Sequence, residues 1–193
     1  MRSVKLLGVA LTTLIAATAC NAAEIEIGAK APDFTAKGVD GKEYGLQSAL
    51  KGSDAVVVCF TCNKCPVAVA YEDRFIDFAK QYADKKVQFL AINCNTSEDL
   101  AAMKQRAEEK GFPYPYAYED SGDAARGYGA RVTPHLFVVN KDGKVVYHGA
   151  FDNSTNNPTV HYVASAVDAA LAGKLPEVTT TKAVGCGIRP KRQ

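Results

Sequence analysis

The chain has almost no excess charge of either sign. It carries 23 Lys and Arg against 21 Asp and Glu, and Arg2 and Lys5 sit in a leader-like start, so the remainder is balanced. A near-neutral surface gives nucleic acid or an anionic membrane little to hold, and neither is expected as a partner. There is no internal repeat and no low-complexity tract. Only three histidines are present, His135, His148 and His161, and none has the spacing of a metal ligand. No Ser-His-Asp arrangement, phosphate loop or paired-carboxylate motif stands out. The longest apolar stretch, Leu6 to Ala19, is too short and too rich in Ala and Thr for a membrane span.

That stretch, preceded by the basic Arg2 and Lys5, reads instead as an export signal over residues 1–23. Two processing outcomes fit. Ala17-Thr18-Ala19-Cys20 resembles a lipoprotein box that would make Cys20 a lipid anchor, and cleavage after Ala22 or Ala23 would release a soluble protein. Either way an exported location is expected, periplasmic or anchored at a membrane surface, where disulfides are permissible. The rest suits one domain, residues 24–173, followed by an irregular tail, residues 174–193. Five cysteines remain: Cys59, Cys62, Cys65, Cys94 and Cys186. An odd number in an exported chain leaves at least one unpaired.

The segment Cys59-Phe-Thr-Cys62-Asn-Lys-Cys65-Pro66 is the most informative. It joins the buried-strand run Ala55-Val56-Val57-Val58 to a helical pattern beginning at Pro66. A sulfur at a helix start meets unpaired N–H groups and the positive end of the helix dipole, both of which favour the thiolate. Lys64 lies between the two cysteines and adds positive charge. Strand, Cys62-x-x-Cys65, helix is therefore an arrangement for thiol–disulfide exchange. A structural disulfide is one alternative. A soft-metal site made by Cys59, Cys62 and Cys65 is the other.

The remaining pattern predicts an α/β chain. Val39-Asp40-Gly41-Lys42 is a hairpin turn, and Leu46–Leu50 a helical turn. A strand over 55–61 precedes a helix with Val67, Tyr71, Phe75, Phe78 and Tyr82 on one face. A second strand covers 87–93, and Thr96 or Ser97 caps a helix that Gly111 ends. A short strand over 114–118 carries Tyr114, Tyr116 and Tyr118 on one face, and a brief helix runs from Ser121 to about Tyr128. Asp142-Gly143 joins two strands, and the last helix is expected from Asn157-Pro158 to Gly173. Parallel strands first and an antiparallel hairpin last give a mixed sheet with helices on both faces.

This order, with the cysteine pair after the first core strand, resembles the thioredoxin superfamily over residues 28–173. It is closest to the redoxins, the peroxiredoxin-like (alkyl hydroperoxide reductase/thiol-specific antioxidant-related) and cytochrome-maturation branches. The motifs are Ala31-Pro-Asp-Phe34, Phe60 to Pro66, Val132-Thr-Pro-His135 and Val139 to Lys144. The end, Gly185-Cys-Gly-Ile188, resembles that of a peroxiredoxin-like subgroup. The resemblance implies a thioredoxin-like fold with no cofactor. It makes Cys62 the more exposed attacking thiolate and Cys65 the resolving thiol. Thr133 and Pro134 would be the substrate-binding loop with a cis proline; without the resemblance Pro134 reads as a strand-start proline. Substrates would be protein disulfides or peroxides, with a reducing or oxidising partner protein.

Three departures qualify the resemblance. The buried acid that thioredoxin carries six residues before its first cysteine is Val56 here. The Glu of the cytochrome-maturation type, three after the second cysteine, is Ala68. Glu72 reads as a solvated helix face, so no internal proton acceptor is identified. The peroxiredoxin signature Pro-x3-Thr-x2-Cys is absent: its Pro and Thr positions hold Ala55 and Cys59 counted from Cys62, or Val58 and Cys62 counted from Cys65. Arg126 or Arg131 could supply a cation to a thiolate, or lie at the surface. Cys59 reads as a small core residue. Cys94 is either core or a partner for Cys59 or Cys186. Cys186 is a second resolving thiol, half of a structural disulfide, or free. His135 is a candidate to touch the site, while His148 and His161 read as strand and helix surface.

Overall fold

The computed structural model describes residues 23–191; the export signal and Cys20 lie outside the described residues, apart from residue 23. Among the described residues nine strands and five α-helices follow in chain order: β1 (Ala36–Gly38), β2 (Glu43–Tyr44), α1 (Leu46–Leu50), β3 (Ala55–Phe60), α2 (Pro66–Tyr82), β4 (Val87–Asn93), α3 (Leu100–Lys110), β5 (Tyr116–Tyr118), α4 (Asp123–Tyr128), β6 (Val132–Thr133), β7 (His135–Asn140), β8 (Val145–Gly149), α5 (Tyr162–Leu171) and β9 (Cys186–Gly187). Seven strands form one sheet in the order β2-β1-β5-β4-β3-β7-β8, and β6 pairs separately with β9. The β3, β4 and β5 strands are parallel, while β7 and β8 run antiparallel as the Asp142-Gly143 turn predicts. This is the expected mixed, thioredoxin-like sheet.

The central strand β3 is buried along its whole length, so both of its faces need cover. Ala55, Val57 and Cys59 pack with Tyr71, Phe75 and Phe78 of α2, Met103 of α3 and Val163, Ala166 and Val167 of α5. Val56, Val58 and Phe60 pack on the other side with Leu46 and Ala49 of α1 and Ala124, Ala125 and Tyr128 of α4. The period-two alternation of one strand thus builds two cores.

Helix starts depart from expectation where side chains capture the backbone first. α3 is capped by Asp99, whose carboxylate accepts from Ala102 N at 2.8 Å, not by Thr96 or Ser97. Thr96 N instead donates to Arg189 O. α4 begins at Asp123 because the buried Glu119 accepts from the N–H groups of Ser121, Gly122 and Ala124. α5 begins at Tyr162, not Asn157: Asn153 Oδ1 holds Thr159 N and Val160 N, and Ser154 Oγ accepts from Asn156 N and Asn157 N, closing a loop in place of a first turn. β5 shortens to three residues beside Pro113 and Pro115, which have no N–H to give.

The segment after α5 lies against the body. Thr179 O accepts from His148 N, and Thr181 N donates to His148 O. Thr181 Oγ1 meets Tyr147 Oη at 2.6 Å. Further on, Ile188 N donates to Arg131 O, and Arg189 N reaches Asn95 Oδ1 at 2.7 Å.

Candidate active site

The β3 strand ends at Phe60, and Thr61 N still donates to Ile92 O of β4, so the chain leaves the sheet in a fixed direction. Cys65 is the N-cap of α2 and Pro66 occupies its first turn, where a missing N–H costs nothing. Cys62 and Cys65 are therefore placed at the start of α2 as the spacing predicts, in a small cluster with Ala68. The Thr133–Pro134 peptide is cis, as the resemblance implies, and faces them. Cys62 Sγ lies 3.3 Å from Thr133 Oγ1, and Cys65 Sγ donates to Thr133 O at 2.9 Å. One threonine thus touches both sulfurs.

Their environments differ. Cys62 is 7 % exposed and Cys65 1 %, so Cys62 is the more open of the two, yet both are covered. Burial pushes the Cys62 thiol up; the Thr133 hydroxyl opposes this and the nearby Glu98 charge adds to it. Burial acts on Cys65 in the same direction. There, however, hydrogen bonds from the Cys186 thiol, the Ala68 N–H, Thr133 and the Cys186 N–H outweigh it and bring the thiol below its ordinary value. The ionisation order is thus the reverse of that implied by the resemblance. Lys64 is not among the groups that set it, and its ammonium donates to Ser97 O.

Glu98 is a site residue that no motif or spacing pointed to. This buried carboxylate accepts from Asn63 N at 2.8 Å, Lys64 N at 3.1 Å and Asn93 Nδ2 at 3.0 Å, fastening the turn between the cysteines to the end of β4. Asn63 adds a bond to Ala102 O and receives one from Tyr116 Oη. A buried acid beside the pair therefore comes from the β4–α3 loop, a position that spacing from the cysteines does not reveal. At the positions where relatives of the fold carry their acids, Val56 and Ala68 are fully buried.

Several expectations are corrected. Glu72 is not a solvated face: it is 5 % exposed and takes a two-pronged ion pair from Arg106, at 3.0 and 2.6 Å. His148 is buried, not at the strand surface, and its ring lies 6.2 Å from that of His135. His135 is fully buried against Phe137, and neither of its ring nitrogens has a hydrogen-bond partner among the described residues. Burial, with help from His148 and Arg131, pushes it down to about 4. Cys59 is core, as expected, and its sulfur belongs to the α2 side of the sheet while Cys94 belongs to the α1 side, so those two do not pair. Cys94 Sγ points to Glu119 at 3.6 Å. Arg126 is tied to Asp123 and Ser121 O, with its charge bearing on Cys94 and not on the cysteine pair.

All five cysteines of the described residues are free thiols. Cys59, Cys62 and Cys65 do not converge, and no group of three His, Cys, Asp or Glu among the described residues is placed to hold a metal ion. Cys186 is brought to the site: β9 pairs with β6 in the register Thr133↔Cys186, and Cys186 N donates to Cys65 Sγ at 3.4 Å. A cleft of about 240 Å³ remains between Cys62, Glu98, Cys186 and Arg189. A larger one of about 430 Å³ runs from Pro134 past Phe151 to Tyr162.

Comparison with known proteins agrees with this fold. The sequence profile of the AhpC/TSA family matches residues 27–148. A Bacillus cereus protein named thiol-disulfide oxidoreductase ResA is 26 % identical over 125 residues, 64 % of this chain and 69 % of that protein. Among solved structures, a hypothetical protein of Sinorhizobium meliloti 1021, SMc02350, superposes with a TM-score of 0.81 at 30 % identity, covering 89 % of this chain and 98 % of that one. An uncharacterized conserved protein of Geobacillus kaustophilus gives 0.79 at 33 %, covering 87 % and 94 %.

Proposed function

Because this chain belongs to the AhpC/TSA family, we propose that it is an exported oxidoreductase that exchanges disulfides with partner proteins through Cys62 and Cys65. The observation that carries this reading is the meeting of both sulfurs with Thr133 at the N-terminus of α2. Cys62, the less buried sulfur, is the one that forms the mixed disulfide, and Cys65 is the one that resolves it. In the opposite direction a partner thiolate attacks Cys62 and expels Cys65. The depressed ionisation of Cys65 suits that departure, since a leaving thiolate of lower pKa leaves faster. Pro134 and the apolar wall of its cleft flank the partner segment, the Thr133 edge being taken by β9.

Peroxide turnover is expected to be no faster than that of free cysteine. The positions of the peroxide-binding Pro and Thr hold Ala55 and Cys59, both in the core. The start of the sequence supports export, and the mass of the mature protein distinguishes a lipidated Cys20 from cleavage after residue 22 or 23. The decisive experiment is a titration in glutathione buffers with disulfide mapping by mass spectrometry. A two-electron transition that joins Cys62 to Cys65, and that disappears in Cys62→Ser, is expected. Absence of that disulfide at every buffer ratio overturns the reading.

A further inference from the structure

Both sulfurs of the pair are covered, whereas Cys186 is exposed and touches one of them. The contact is built into the fold. Residues 179–181 hydrogen-bond to His148, β9 pairs with β6, and Arg189 is held by Asn95 and Thr96, so the strap is fixed on both sides of Cys186. Thr133 Oγ1 also donates to Cys186 O. Just before the cysteine, a Cβ on Gly185 would fall 1.9 Å from Thr133 O, so only glycine allows this approach to the Thr133–Pro134 backbone. The strap thus lies along the strand edge next to the cis proline, the edge that an incoming peptide would pair with.

We propose that Cys186 is a third working thiol of this site, taking the disulfide from the buried pair and presenting it to partner proteins. The inference rests on the Cys62–Cys65 exchange proposed above. In the oxidised pair, the Cys186 thiolate attacks Cys65 Sγ. The Cys65–Cys186 bond forms as the Cys62–Cys65 bond breaks, and Cys62 leaves as a thiolate that takes up the proton Cys186 released. No electrons enter or leave. A partner dithiol then attacks Cys186, Cys65 is expelled, and the partner's second thiol frees Cys186. The partner is oxidised by two electrons and this chain is reduced by two. A partner disulfide is reduced by the reverse sequence.

The ionisation of Cys186 fits this order of events. In the dithiol form it is raised to about 11, first by its hydrogen bond to Cys65, then by burial and the charges of Cys65 and Cys62. Once Cys65 is in a disulfide, its hydrogen bond and its charge are gone. The thiolate fraction of Cys186 is thereby larger once there is a disulfide for it to attack.

The test uses the full mature chain and its Cys62→Ser, Cys186→Ser and Gly185→Ala variants. Each is oxidised with diamide, acid-quenched, alkylated and mapped. Wild type is expected to yield both Cys62–Cys65 and Cys65–Cys186, and Cys62→Ser to yield Cys65–Cys186 alone. Gly185→Ala should retain Cys62–Cys65 and lose the other. Reduction of the oxidised Cys186→Ser protein by dithiothreitol should be at least about tenfold slower than that of wild type, because its exposed sulfur is gone. Formation of Cys62–Cys65 with no Cys65–Cys186 in wild type or in Cys62→Ser overturns this inference alone, as do equal reduction rates. Absence of Cys62–Cys65 as well overturns the exchange reading on which it rests.

Discussion

At the scale of single residues the chemistry depends on what the buried polar groups meet. Glu98 is one. Glu98→Gln removes a negative charge near Cys62 and leaves one of three N–H donors without an acceptor. The Cys62 thiol should therefore ionise at lower pH, at a cost in stability of about 1–3 kcal/mol. Thiolate absorbance against pH, with Cys65 replaced by Ser, reads the first effect, and an upward shift would show that the carboxylate acts otherwise. His135 is the second. Its folded pKa of about 4 lies below its ordinary 6.5, so the unfolded chain binds the proton first as pH falls. Stability from this group is full above about 6.5 and is lost toward pH 4, by about 3 kcal/mol. His148, also lowered by burial, acts in the same direction. Urea unfolding midpoints should fall over that interval, and less steeply in His135→Phe; identical slopes would assign the loss to other groups. The placement of Cys62, Cys65, Thr133 and Pro134 was legible because it is local or motif-borne. Glu98 was not, because a lone Glu in a polar loop differs from its neighbours only through what folds over it.

At the scale of elements, the strands were easier to read than the helix starts. Ala55 to Phe60 and Val87 to Asn93 announce themselves by unbroken apolar runs, and the turns at Asp40-Gly41 and Asp142-Gly143 by their residues. Helix starts were misplaced by two to five residues wherever a polar side chain in the preceding loop had several backbone groups within reach, as Glu119 and Asn153 do. The cap of α3 gives a direct check. Asp99→Ala should destabilise the protein by about 1 kcal/mol, while Ser97→Ala, at the position favoured by pattern alone, should change little. Equal losses in chemical denaturation would mean that the helix begins earlier than Asp99. The tail was the element read least well. Its contacts with Thr133, Asn95 and His148 span from about 30 to more than 90 positions in the chain, and no periodicity records such distances.

At the scale of the whole molecule, the seven-stranded sheet with its two cores supports a cysteine-lined corner where four segments distant in sequence meet: the start of α2, the β4–α3 loop, β6 and the strap. The fold class was readable because helices and strands alternate in the first part and the hairpin comes late. The closure of the corner was not, since it depends on residues 184–191 returning to the middle of the chain.

The pairing of Thr179–Thr181 with His148 has a consequence unrelated to sulfur. It gives β8, the outermost strand on its side, a neighbour, and so denies that rim to a second molecule. A chain truncated after Val178 would carry bare amide and carbonyl groups along the rim. It should dimerise or form larger species with rising concentration, whereas the full chain should sediment as one species throughout.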